Sequence, residues 1–155
     1  MHTFAGGFRT DSDDYKNMEK KRHIKVAGVL FFVWTAVILY GSLSPGDDLP
    51  PMGWLARIPH FDKIVHFCFY LGQVLLLLLW LQPSRGSRIW VALCAIIFSG
   101  TIELLQGEYF DRSADWLDFA ANSAGALTGI PLARLAERLI FKKDSGNETP
   151  PNNDN

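Results

Sequence analysis

The sequence predicts an all-α fold, a four-helix transmembrane bundle with disordered cytoplasmic tails, and two observations carry that prediction. Charge is segregated along the 155 residues: 1–25 and 141–155 are polar, and between them the apolar residues come in long blocks. Four of those blocks reach the roughly 17–25 residues that a helix needs to cross a bilayer. A composition 48% hydrophobic and 20% charged would also suit a soluble protein, so the pattern decides and the average does not. A soluble helical bundle is disfavoured because the first block has no polar face to present to water. At the usual domain size the chain holds one domain, residues 26–140, between a cytoplasmic polar tail at 1–25 and a disordered one at 141–155.

The first span is predicted at Val26–Leu43, which carries no charge. It is longer than the apolar core of a signal peptide and starts after a long polar segment, so it reads as an uncleaved helix. The loop "SPGDDLPPMGWLARIPHFDK" contains four prolines and cannot be helical throughout. Its Trp54, Leu55 and Ile58 are expected to lie along the membrane interface. The second span is expected at Ile64–Leu81, interrupted by His66 and Gln73. Gln73 reads as an interhelical hydrogen-bond pin. "QPSRGSR" at 82–88 is a short hairpin connection, and Ile89–Leu105 forms the third span. The fourth, at about Trp116–Ala133, continues into the basic amphipathic stretch "LARLAERLIFKK", suited to anionic lipid. Cys68 and Cys94 fall in opposite halves of the bilayer, too far apart for a disulfide, and read as small packing residues.

The basic residues set the orientation. Twelve Lys and Arg fall on the side of both termini and of the 82–88 turn, against Arg57, Lys63 and Arg112 on the other. The positive-inside rule then places both termini in the cytoplasm. A formal net charge of −1 with no basic aromatic stripe gives no reason to expect nucleic acid. No phosphate-binding glycine loop, Cys-x-x-Cys pair or His-Glu-x-x-His is present. Four short spans without an internal repeat argue against alternating-access transport.

Polar residues inside the spans point to function. In the fourth helix Asp115, Asp118, Asn122, Gly125 and Gly129 follow spacings of 3, 4, 3 and 4, which aligns them on one face. Gly125-x-x-x-Gly129 lets a neighbouring helix approach closely, so the carboxylates above it should sit beside protein and not lipid. Asp62, His66, Phe69 and Gln73 form a second stripe, and Glu103 with Gln106 a third. All three reach the outer third of the bilayer, where a lipid-facing carboxylate costs several kcal/mol. They are therefore expected to turn inward and pair with Lys63, His66 and Arg112. Asp115 also reads as a cap of the fourth helix. Glu108, Asp111, Asp47 and Asp48 read as solvated. A divalent cation is a candidate cofactor, with His66, Glu103 and Asp118 as candidate ligands of oxygen-plus-imidazole type.

At these residues the chain resembles the VanZ-like family of bacterial membrane proteins. The matching marks are "DKIVHF", with Asp62, Lys63 and His66; Glu103-x-x-Gln106; and "RSADWLDFAANSAGALTG", with Arg112, Asp115, Asp118, Asn122, Gly125 and Gly129. The resemblance covers residues 26–140. It implies a four-helix domain in the bacterial cytoplasmic membrane and, for the founding members, a role in resistance to the glycopeptide teicoplanin. Two classes of function fit. One is an envelope protein whose outer polar pocket binds a lipid-linked envelope precursor or a glycopeptide. The alternative is a membrane-embedded enzyme using His66 with Glu103, Asp115 or Asp118 as acid and base on a lipid head group. No Ser or Cys nucleophile is evident apart from Ser113 and Ser123, which favours binding.

Overall fold

A computed structural model of the protein describes residues 11–44, 58–109 and 115–142. Among the described residues there are four helices and no strand: α1 Asp11–Leu43, α2 Phe61–Leu81, α3 Arg88–Tyr109 and α4 Trp116–Lys142. The α2–α3 connection is short, and helices consecutive in the chain run antiparallel, so that α2 and α4 are parallel. The C-terminal ends of α1 and α3 therefore lie with the N-terminal ends of α2 and α4. That shared end carries the polar residues singled out above.

Three of the four helices are long and apolar enough to cross a membrane by length and composition: Asp14–Leu43, Phe61–Leu81 and Arg88–Glu108. On α1 the side chains of Val29, Phe32, Val33, Val37 and Tyr40 are exposed in the isolated chain. So continuous an apolar surface fits contact with lipid and not with water. The fourth expected span, in α4, falls short of the other three in composition because it carries Asp118, Asn122, Ser123 and two glycines. Its 27 residues would still reach about 40 Å.

One expectation is corrected at the N-terminus. Within the polar tail, residues 1–21 were expected to be disordered, yet α1 begins at Asp11. Nucleation is the costly step of helix formation, and the apolar half of α1 has already met it. Good helix formers Met18, Glu19, Lys20, Lys21 and Arg22 then extend it, with Glu19 and Arg22 paired at 3.6 Å one turn apart. The expectations for residues 1–10 and 143–155, and for Asp47, Asp48, Trp54, Leu55, Asp111, Arg112 and Ser113, lie outside the described residues.

Helix α2 is the hub. It buries His66, Tyr70, Gln73, Val74 and Leu78, and the core is completed by Ile38 from α1, Ala92, Ala95 and Ile102 from α3, and Ala126 and Ala133 from α4. Two tryptophan–glycine contacts join α1 to α2: Trp34 lies on Gly72 and Trp80 on Gly28. The Trp34 indole N–H also donates to the Phe69 carbonyl at 2.8 Å. Against α4 the approach is closer still. Gly125 sits on the backbone of Phe67 and Leu71, and Gly129 on Val74, which brings the polar residues of the two helices within bonding reach. At the far end Arg88 of α3 clamps Glu137 of α4 through hydrogen bonds of 2.8 and 3.0 Å.

Three further residues differ from expectation. Cys68 and Cys94 are free but exposed, so neither packs inside the bundle. Gln73 is buried, yet its Oε1 has no hydrogen-bond partner, so this oxygen does not pin a neighbouring helix.

Candidate functional site

Two linked networks occupy the shared end. The first is built around Lys63, on the first turn of α2. Its ammonium lies 2.9 Å from Asp62, 2.5 Å from Asp115 and 2.7 Å from Asp118 Oδ1. Asp115 has two roles, because its Oδ1 also accepts the Leu117 N–H at 2.8 Å and so caps α4. The Lys63 ammonium, helped by that amide, holds the Asp115 carboxyl below the usual carboxylate range.

The second network is buried. His66 Nδ1 lies 3.1 Å from Asn122 Oδ1, and Asn122 Nδ2 donates to Glu103 Oε1 at 3.3 Å. Turning the amide over would set its oxygen against a carboxylate oxygen, so this orientation is favoured. Asn122 Oδ1 then accepts from His66 Nδ1–H. Asn122 is 1% exposed and Glu103 6%. Each of α2, α3 and α4 thus contributes one member of this set, and Asp118 joins the two networks: its Oδ1 meets Lys63, while its Oδ2 lies 3.8 Å from His66 Nε2.

Most of the residues selected from the sequence come together here, but not all. Asp62, Lys63, His66, Glu103, Asp115, Asp118 and Asn122 do. Asp62 is exposed and touches the cluster through Lys63 alone among the described residues. Gln106 is drawn elsewhere, its Nε2 donating to the Ser42 carbonyl of α1 at 2.5 Å. It ties α1 to α3 and does not belong to the site. Gly125 and Gly129 supply the α2–α4 approach. His66, Glu103 and Asp118 each offer a potential metal-ligand atom, and these atoms lie within 4.8 Å of one another.

Sequence reasoning missed an apolar slot. A cavity of about 250 Å³ between α3 and α4 is lined by Gly100, Leu104, Trp116 and Phe119, with Glu103 and Asp115. Leu104 is 72% and Trp116 82% exposed, so the slot opens sideways from the bundle. Gly100 leaves the space, since even a Cβ there would lie 3.3 Å from the Phe119 ring. A glycine inside an apolar helix, opposite aromatics three residues apart, was the available signal.

A protein-family model described as VanZ/LLP1 matches residues 8–137. The match begins at residue 8, not near 26, and so takes in the helical residues that precede the first apolar block. Comparison with curated proteins and with solved structures gives no match.

Proposed function

The chain belongs to the VanZ/LLP1 family and is a membrane protein of that type; on this premise we propose that it binds an envelope amphiphile. The polar head would meet the cluster at the α2–α3–α4 end, and the apolar chain would lie in the slot between α3 and α4. One observation carries this reading: Glu103 and Asp115 belong both to the slot and to the polar cluster. An apolar channel that opens sideways and ends on charged groups suits a molecule arriving from the bilayer. Four carboxylates against the single ammonium of Lys63 in the described cluster favour a head group bearing an amine. A lipid-linked envelope precursor or an acylated glycopeptide has the required two-part chemistry, and teicoplanin-type resistance would follow from its capture.

The test is capture of phosphatidylethanolamine carrying a photoreactive acyl chain, by purified protein in chelator. Gly100→Leu fills the slot without touching a charged group. It is expected to lower capture at least tenfold, the equivalent of about 1.4 kcal/mol. Equal capture by both proteins would overturn the reading.

The enzyme reading retains one favourable feature, His66 between Glu103 at 3.9 Å and Asp118 at 3.8 Å. Against it, the Ser123 hydroxyl is occupied, donating to the Phe119 carbonyl of its own helix at 2.8 Å. Conversion of the probe lipid, read by mass spectrometry of the extract, separates turnover from binding.

We further propose that α4 crosses the bilayer with the other three helices, in the bacterial cytoplasmic membrane. Both termini would be cytoplasmic and the polar cluster would face outward, an orientation that the twelve-to-three split of basic residues supports. Burial of Asp118 and Asn122 against α2 and α3 removes much of the cost of their polarity. Reporter fusions at residue 155 and within 107–112 should report opposite compartments. Matching signals would contradict the arrangement.

A further inference from the structure

We propose that His66, Glu103 and Asp118 form a site for a divalent transition-metal ion of the Zn²⁺ or Mn²⁺ type, beside the slot. The proposal rests on the head-group reading above and adds a cation to it. Three helices each supply one ligand, and the candidate atoms already lie within 4.8 Å of one another. A mixed set of one imidazole and two carboxylates suits such ions better than the all-oxygen shells of Ca²⁺ or Mg²⁺.

The separations leave room for an ion. His66 Nε2 faces Asp118 Oδ2 across 3.8 Å, too far for a direct hydrogen bond. Zinc–ligand bonds of about 2.0–2.2 Å set tetrahedral ligand atoms roughly 3.4 Å apart. The pair would close by about half an ångström to meet that.

The surrounding residues match what metal ligands require. A ligating histidine is usually fixed by a hydrogen bond from its other ring nitrogen, and Asn122 accepts that bond while also holding Glu103. Lys63 restrains Asp118 through the oxygen that does not face His66. Glu103 lines the slot, so an ion held by it would border the head-group position. There it would attract an anionic group that the carboxylates alone repel.

The test uses the full chain, free of any histidine tag and stripped with chelator, titrated with Zn²⁺ by calorimetry. One ion per chain is expected. Glu103→Gln and Asp118→Asn should each weaken binding by about 100-fold or more, and Asn122→Ala by about tenfold. Glu108→Gln, at the same end and exposed, should change nothing. No stoichiometric binding, or undiminished binding by Glu103→Gln and Asp118→Asn, would overturn the proposal. X-ray absorption at the zinc edge of the unaltered protein is independent of how any variant folds. It should report one imidazole nitrogen with carboxylate oxygens, and a shell without imidazole would be equally fatal. Polyprenyl pyrophosphate should be captured with metal and not in chelator, whereas the photoreactive phosphatidylethanolamine should be captured in both. Loss of metal binding with retained aminolipid capture would remove the ion and leave the head-group reading standing.

Discussion

Gly125→Ala is expected to cost the bundle about 3 kcal/mol, at the upper end of what overpacking inflicts. A Cβ at this position would overlap the Phe67 carbonyl oxygen and approach the Leu71 nitrogen at 3.0 Å. Both are backbone atoms of α2 and cannot rotate aside as a side chain would, so the two helices must separate. The damage extends beyond packing. Asn122 sits one turn away on α4 and meets His66 of α2, so separation also loosens the buried network. The measurement is the thermal midpoint in detergent, followed by helical circular dichroism. Gly86→Ala is the reference, since nothing lies within 4 Å of a Cβ there, and it should stay within about 0.5 kcal/mol of the parent. Equal midpoints for the two variants would refute the close approach of α2 and α4.

The helices and half of the site were legible because helical period alone generates them. Apolar blocks marked the cores of all four helices, and the 3-4 spacing of Asp118, Asn122, Gly125 and Gly129 placed an acid and an amide above two contact glycines. What period cannot supply is partner choice. Lys63 and Asp115 stand 52 residues apart, and only the packed bundle makes them neighbours. Gln106 shares a helix face with Glu103, yet a backbone carbonyl at the end of α1 lay within its reach and took its amide. Asp62 shares the face of His66 but lies in the first turn of α2, at the end of the bundle, where Lys63 meets it and the side chain stays exposed. Arg88 counted only towards orientation, because Glu137 lies beyond the apolar part of α4. The slot left only the trace of Gly100 and the Trp116–Phe119 spacing for a related reason: it is a property of two helices crossing at Gly100 and Phe119.

His66→Ala, Glu103→Ala and Asp118→Ala are each expected to abolish ligand capture while the protein still accumulates in the membrane. Stability and function should separate here. The desolvation cost of the buried groups offsets much of what their pairing contributes, so each loss is expected to be about 1–3 kcal/mol, the cost of leaving a buried partner unsatisfied. The core residues Tyr70, Val74, Leu78 and Ala126 and the Arg88–Glu137 clamp remain intact in all three variants. Lys63→Ala should behave differently. It strips the counter-charge from Asp62, Asp115 and Asp118 together; Asp118 is the largely buried one of the three, and an unpaired charge there is strongly destabilising, so accumulation should fall.

The central claim, that the polar end binds a ligand and does not merely pin the helices, is tested most directly by two readings on the same membranes. One is the amount of each cluster variant by immunoblot; the other is its capture of the photoreactive phosphatidylethanolamine. The account predicts that the three alanine variants remain in the membrane at amounts within several-fold of the parent, as expected for losses of about 1–2 kcal/mol. It predicts capture reduced at least about tenfold. Disappearance of all three variants from the membrane, or full accumulation with undiminished capture, would contradict it.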